Sequence, residues 1–186
     1  MGQQLSNLVT DPYHLPIKIR IAIVVGFLIS PFIFRPDGTV NRSLLHFLAP
    51  KVPPLTTAVG GATSVDVTVD PSRNLWFRLF VPMTTSAAPT LSVIVFFQGG
   101  GFQVGSPDSK FMDATCKTLA MQVPAVVVSS SYRLSPEHKY PCPYEDGFDV
   151  LSFIDDRANR EKIGPIIDKV DMGKCFIVGE SAGGKP

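Results

Sequence analysis

Hydrophobic and polar positions alternate most clearly along one short segment of the chain. Val65, Val67 and Val69 share one face of Ser64–Val69, which indicates a half-buried strand. The next residues, DPSRN, are typical of a turn. Leu75–Val81 then reads LWFRLFV, a second strand. Together the two segments predict an antiparallel hairpin.

Three continuous apolar runs follow, at Leu91–Phe97, Ala125–Val128 and Cys175–Val178. Short runs of β-branched and aromatic residues predict strands buried on both faces, as in a parallel sheet. The segments between them have helical periodicity, with two sets of apolar residues that each share a face: Met112, Cys116 and Leu119, and Phe148, Leu151 and Ile154. This order predicts an α/β fold with a mixed, mostly parallel sheet and an antiparallel edge.

The N-terminal region contains a different apolar segment. Ile21–Phe34 has 14 residues, fewer than the ~20 that span a bilayer. We expect a helix packed against the domain, with a signal peptide or a signal anchor as the alternative. The first residues, MGQQLS, also fit the pattern for N-myristoylation at Gly2. One acyl chain binds a membrane only weakly, so stable membrane association is not expected. The linker KVPPL at Lys51–Leu55 suggests an N-terminal helical segment, 1–60, before the remainder, 61–186.

Composition narrows the classes of function. The chain has 186 residues, of which 45% are hydrophobic and 18% charged, and a net charge of +1. This is a globular balance without the basic surface that nucleic acid requires. Three cysteines are far apart and form no CxxC pair, which favours reduced thiols and a cytoplasmic protein. No metal or other cofactor is predicted, and nothing in the sequence sets the oligomeric state.

Two glycine-rich turns follow predicted strands, where sites form in open α/β sheets. The first is G-E-S-A-G at Gly179–Gly183. A nucleophilic serine on a tight strand-to-helix turn needs glycine two residues away on each side, because larger side chains would clash. Ser181 is therefore the candidate nucleophile, with Gly179 and Gly183 as the glycines of the turn.

The second turn is QGGGF, from Gln98 to Phe102. Successive glycines expose backbone N–H groups that can stabilise an oxyanion, together with the N–H after the nucleophile. Two donors from this run of glycines, together with the N–H of Ala182, would form the oxyanion hole. A phosphate-binding loop is the rival interpretation, but the sequence matches neither of the common phosphate-loop patterns.

The stretches FFQGGGF, VVVSSSYRLSPEHKYPCPYEDG and FIVGESAGG, in this order, resemble the hormone-sensitive-lipase-like carboxylesterases, especially the plant branch that includes the gibberellin receptor. DGTVNRSLL and VDVTVDPSRNLWFRLFVP are also similar to that branch. The resemblance implies an α/β-hydrolase fold in which the N-terminal residues form part of a cap. It also implies hydrolysis of small-molecule esters, with Ser181 as the nucleophile and the N–H groups of Gly100, Gly101 and Ala182 as the oxyanion donors. His138 then has a structural rather than a catalytic role. Arg133, Glu137 and Asp146 are then expected to form a buried polar cluster, with a solvated run of charges as the alternative.

Two features depart from the family pattern. Gln98 replaces the histidine that begins the family's glycine turn. The acid and the histidine of the triad follow the serine in this fold, and neither is present after Ser181. We therefore expect an N-terminal portion of the fold, without its C-terminal part and inactive as an esterase by itself. A non-catalytic, gibberellin-receptor-like binding protein and a non-functional fragment are the alternatives.

Overall fold

The computed structural model describes residues 15–57, 61–83, 90–164 and 170–185. The Gly2 pattern therefore lies outside the described residues. The chain divides into two compact units, Met1–Leu48 and Ala49–Pro186, and the predicted boundary between residues 60 and 61 remains a prediction.

The first unit contains two helices. Helix α1 spans Ile17–Ile33, and α2 spans Arg42–Leu48. Pro16 precedes α1, and no residue of α1 is buried. An isolated antiparallel bridge between Phe34 and Val40 closes the turn between the helices. Within the described ranges, no helix has both the length and the apolar character needed to cross a membrane.

The second unit contains a five-stranded sheet. Its strands are β1 (Ala62–Asp70), β2 (Leu75–Pro82), β3 (Leu91–Phe97), β4 (Ala125–Ser130) and β5 (Val170–Gly179). Their spatial order is β1-β2-β4-β3-β5. β1 pairs with β2 and β2 with β4 in the antiparallel sense, whereas β3 pairs with both β4 and β5 in the parallel sense. The predicted hairpin and the mixed sheet are confirmed.

Helices pack on both faces of this sheet. They are α3 (Lys110–Gln122), α4 (Cys142–Asp155) and α5 (Arg157–Ile163), with short 3₁₀ helices at Pro71–Arg73 and Ser181–Gly184. Alternate strand residues point to opposite faces. One buried cluster accordingly joins Val126 and Val128 to Val150 and Ile154 of α4. The other joins Val127 to residues of α3, among them Cys116.

One prediction of burial is wrong. Cys175–Val178 was expected to be buried on both faces, but all four residues are exposed. Within the described residues β5 pairs only with β3 at the edge of the sheet, and only its first residues, Val170 and Met172, pack against a buried cluster. On α4, Phe148 is 68% exposed, whereas Val150 and Ile154 are buried against the sheet.

A buried ion cluster ties β2 to its neighbours. Arg78 is 1% exposed, and its guanidinium group contacts Asp66 of β1 at 2.6 Å and Asp113 of α3 at 2.8 Å. It also donates a hydrogen bond of 3.0 Å to the carbonyl oxygen of Val52. A buried cation requires such partners, since an uncompensated charge in the core is strongly destabilising.

Candidate active site

The parallel strands end together at one edge of the sheet. Phe97 at the end of β3 is paired with Ser130 of β4 and with Gly179 of β5. The residues that follow these strands therefore lie side by side. The N–H of Glu180 donates a hydrogen bond of 3.1 Å to the carbonyl oxygen of Phe97, which links the two glycine-rich turns. This carboxyl edge is where ligands bind in open α/β sheets.

Ser181 occupies a sharp turn between β5 and the final 3₁₀ helix. Its φ is 50°, a left-handed conformation that serine rarely adopts. A Cβ atom at Gly179 would lie 2.1 Å from the carbonyl oxygen of Gly183, and one at Gly183 would lie 2.2 Å from that of Phe97. No side chain fits at either distance, so both glycines are required by the backbone. The geometry agrees with the steric reason that the sequence motif suggested.

The QGGGF turn packs directly against this serine. A Cβ atom at Gly99 would lie 3.4 Å from the Cβ atom of Ser181. Gly100, with φ of 120°, has its Cβ position only 2.1 Å from the carbonyl oxygen of Val104, whose N–H in turn donates to the Gly100 carbonyl at 3.1 Å. Gly101 has φ of 62°. The loop thus closes on itself immediately beside Ser181.

Backbone N–H groups from both turns are candidates for binding an oxyanion. Within the described ranges, the N–H groups of Gly100 and Gly101 donate to no acceptor in the chain. Ala182 is the second residue of the 3₁₀ helix Ser181–Gly184 and is buried. Its N–H belongs to the open, electropositive end of that helix. All three predicted donors therefore lie on the two turns that meet at Ser181.

Gln98 lies beneath the glycine turn and is 1% exposed. Its carbonyl oxygen accepts a hydrogen bond of 2.7 Å from the Tyr132 hydroxyl, and burial raises the pKa of Tyr132 to about 12. Its side chain packs against Gly105, where a Cβ atom would lie 3.0 Å from Gln98 Cδ. Gln98 Oε1 has no hydrogen-bond partner within the described residues. The glutamine therefore fills the space under the loop by packing, while its side-chain acceptor is unused.

A charged cluster holds the segment that follows β4. Asp146 is 0% exposed and accepts hydrogen bonds from the Arg133 backbone N–H at 2.8 Å and from its Nε at 2.9 Å. This hydrogen bonding raises the pKa of Arg133. Arg73, from the turn between β1 and β2, adds an ion pair of 3.1 Å. The predicted contact between Arg133 and Asp146 is confirmed. Glu137 is exposed, and Glu145 contacts Arg133 at 3.5 Å.

The hydrogen bonds of the Ser181 hydroxyl bear on whether a base could activate it. Among the residues that the structure describes, no histidine or carboxylate accepts a hydrogen bond from this hydroxyl. His138 is exposed, and its backbone N–H donates to the Leu134 carbonyl oxygen at 3.0 Å, as part of a turn. A serine without a base is a weak nucleophile at neutral pH.

Sequence reasoning missed three residues of this region. Tyr132 and Gly105 both contact Gln98, and Arg73 reaches Asp146 from a distant turn. A positive φ could be suspected at Gly105, which lies between Val104 and Ser106 in a loop. The partners of Tyr132 and Arg73 are far away in the chain, so local patterns carried no signal for them.

Comparison with known proteins agrees with this arrangement. A model of the alpha/beta hydrolase fold matches residues 94–185, which include both glycine turns. The chain belongs to the alpha/beta hydrolase family. Carboxylesterases of Arabidopsis thaliana are among the proteins that it resembles, as the sequence motifs indicated.

Two relatives from Arabidopsis thaliana illustrate this membership. Gibberellin receptor GID1C is 35% identical over 196 residues, which cover 98% of this chain and 55% of the receptor. Probable carboxylesterase 6 is 38% identical over 150 residues, which cover 80% of this chain and 43% of the relative. The chain thus spans about half the length of the curated relatives it matches.

The chain also corresponds to only part of the solved structures that it resembles. An esterase from Pyrobaculum calidifontis superposes with a TM-score of 0.53 and 31% identity, covering 76% of this chain and 40% of the esterase. The predicted α/β-hydrolase fold is confirmed.

Proposed function

We propose that this chain carries the nucleophile and the oxyanion-binding groups of a carboxylic ester hydrolase that acts on small-molecule esters. The observation that supports it best is the meeting of the two turns, with the Gly99 Cβ position 3.4 Å from the Cβ atom of Ser181. Ser181 is the nucleophile, and the N–H groups of Gly100, Gly101 and Ala182 bind the oxyanion. Residues 1–60 contribute to a cap and residues 61–186 to the core.

The reaction would follow acyl transfer through a serine. The Ser181 oxygen attacks the ester carbonyl, and the negative charge that develops on the carbonyl oxygen is stabilised by the N–H donors. The alcohol leaves, and water then hydrolyses the acyl-enzyme. A general base must accept the proton of Ser181, and the described residues provide none. We therefore expect the 186 residues alone to hydrolyse esters no faster than a Ser181→Ala variant.

A chimera tests the proposal. The chain is joined after the elbow to the corresponding C-terminal part of probable carboxylesterase 6, which is 38% identical in the region that matches. We expect the chimera to hydrolyse p-nitrophenyl acetate, and Ser181→Ala to lower kcat on the order of 10⁴-fold or more. The unmodified Arabidopsis protein is the control for folding and assay. A folded chimera with the same rate as its Ser181→Ala variant would contradict the proposal.

A second candidate is a binding protein that does not turn over its ligand. It is favoured by the similarity to gibberellin receptor GID1C over 98% of this chain. Gln98 also favours it, because its buried amide oxygen has no hydrogen-bond partner among the described residues. Calorimetric titration of the chain and the chimera with a gibberellin tests this candidate. Saturable binding without ester hydrolysis would favour the receptor function over the enzyme.

Location in the cell is a further part of the proposal. We place the protein in the cytoplasm, with no nucleic-acid partner, because the net charge is +1 and the cysteines are sparse. Fractionation of a C-terminally tagged chain tests this placement, with Gly2→Ala as the matched variant. Membrane recovery that Gly2→Ala abolishes would favour myristoylation. Membrane recovery that persists in the variant would favour an anchor at Ile21–Phe34.

A further inference from the structure

Four aromatic rings form a continuous row on one side of the glycine turn. Phe102 contacts Tyr132 with ring centroids 6.1 Å apart and contacts Tyr144 at 5.8 Å. Tyr144 in turn contacts Tyr140 edge to face at 5.5 Å. These separations lie within the 4.5–7 Å range over which aromatic pairs attract one another. The row therefore has a defined geometry rather than being a chance collection of rings.

The row begins at the candidate active site. Phe102 directly follows the candidate oxyanion donor Gly101, and its own φ is 59°, a strained conformation for a bulky residue. Its carbonyl oxygen accepts a hydrogen bond of 2.8 Å from the Ser135 N–H. The Tyr132 hydroxyl is bonded to the Gln98 carbonyl oxygen. The inner end of the row is thus fixed to the carboxyl edge of the sheet.

Exposure increases along the row. Tyr132 is 7% exposed, Tyr144 37% and Tyr140 80%. The outer tyrosines therefore present ring surface to solvent while the inner rings hold them in place. Single exposed aromatic residues need no explanation, but a linked row that leads outward from the glycine turn forms a continuous apolar surface.

We propose that Phe102, Tyr144 and Tyr140 form an aryl subsite that takes a planar aromatic ring of the ester substrate. This inference rests on the proposed esterase function and names its substrate class. A further ring can continue the row by edge-to-face or offset contacts, which a saturated ring cannot make. Binding there directs the rest of the substrate along the row toward the glycine turn and Ser181.

Two ketones of matched shape test the subsite without any reaction. Acetophenone and cyclohexyl methyl ketone differ in the aromatic character of the ring, and neither is hydrolysed. Titrations of the chain and of the chimera are followed by NMR. We expect acetophenone to bind about threefold to tenfold more tightly than its saturated counterpart. Ser181→Ala should leave this preference unchanged.

Substitutions of single aromatic residues test whether the row of rings causes this preference. Tyr140→Leu should abolish the preference for the aromatic ketone, and Tyr140→Phe should retain it. Tyr140 is largely exposed, so its replacement leaves the packed core intact. The control is Phe111→Leu, since Phe111 is 71% exposed on α3 and belongs to no ring pair in the described residues. It should leave the preference unchanged.

Three results would overturn the subsite: equal affinity for the two ketones, an equal loss in Phe111→Leu, or tetramethylammonium binding as tightly as acetophenone, which would indicate a cation site. The subsite and the esterase function fail separately. An active chimera without the ketone preference would contradict only the proposed subsite. An inactive chimera that shows the preference would support the subsite and contradict the hydrolase function.

Discussion

β4 and β5 each contain a short apolar run, and both pair with β3 in the parallel sense, yet the surroundings of the two strands are opposite. Every residue of β4 is buried, while β5 is exposed from Gly173 to Gly179. β4 lies between β2 and β3, and β5 has β3 alone in the part of the chain described. An apolar run therefore indicates a strand that can be buried, and the neighbouring elements decide whether it is.

The largest difference between β4 and β5 should appear when an aspartate is introduced into each strand. Val127 of β4 is 0% exposed and Ile177 of β5 is 63% exposed. Val127→Asp should cost more than about 4 kcal/mol, because an unpaired carboxylate in the core is expensive, and should leave the chain insoluble. Ile177→Asp should increase solubility, because a charge on an open edge strand opposes aggregation. Soluble yield and circular dichroism measure both. Equal loss of soluble protein in the two variants would show that β5 is as deeply packed as β4.

Truncation of one side chain gives a smaller contrast. Val128→Ala should lower the free energy of unfolding by about 2 kcal/mol, since Val128 belongs to a buried cluster and the change leaves a cavity. Val178→Ala, at a position 38% exposed, should lower it by less than about 0.5 kcal/mol. Urea unfolding of both variants measures the difference. The comparison between the strands breaks down if Val178→Ala is the more destabilising.

The segment after β4 extends the packed region to the glycine turn. The dependence of stability on pH tests this packing through Tyr132. The pKa of Tyr132 is raised to about 12 by burial, against about 10 for an exposed tyrosine. The unfolded chain thus loses this proton first, so stability should fall as pH rises from 10 to 12. Tyr132→Phe should remove that part of the slope and cost about 1 kcal/mol at pH 7 through loss of the bond to Gln98.

The measurement is urea unfolding at pH 9, 10 and 11, compared between the natural chain and Tyr132→Phe. Tyr140→Phe is the control, since Tyr140 is 80% exposed. An unchanged slope in Tyr132→Phe would mean that the Tyr132 hydroxyl is not buried against the turn.

The smallest effect leaves stability untouched and concerns thiol reactivity. Cys116 of α3 is 0% exposed, and burial raises its pKa to about 11, whereas Cys175 of β5 is exposed. Ellman's reagent should therefore modify Cys175 in the folded chain and spare Cys116 until urea is added. Mass spectrometry of the labelled peptides identifies the sites, and Cys175→Ser is the control. Rapid labelling of Cys116 without denaturant would contradict a closed packing between α3 and the sheet.

The sequence supported correct predictions where local pattern and tertiary context agree. Leu91–Phe97 was predicted with the bounds that β3 has, because turn residues flank a run whose middle is buried between β4 and β5. The hairpin of β1 and β2 followed from alternation around a turn. The steric need for Gly179 and Gly183 followed from the spacing of the motif.

Predictions were wrong or absent where long-range contacts decide. The exposure of Phe176 depends on what lies beside β5, which its own residues do not encode. Arg73 joins Asp146 through an ion pair between residues far apart in the chain. The packing of Gln98 against Gly105 arises because the loop closes on itself. The pattern of apolar and polar residues does not predict that geometry.

The strand order has a consequence for how the chain folds. β2 pairs with β4, although β3 and α3 lie between them in the chain. The hairpin joins β1 and β2, which are adjacent in the chain, and β3, α3 and β4 are likewise consecutive elements. Joining them closes a long loop, which is slow. We expect this docking to limit the rate of folding. The contact between Arg78 and Asp113 joins the hairpin to α3. Arg78 and Asp113 therefore lose their contact with water only in that late step.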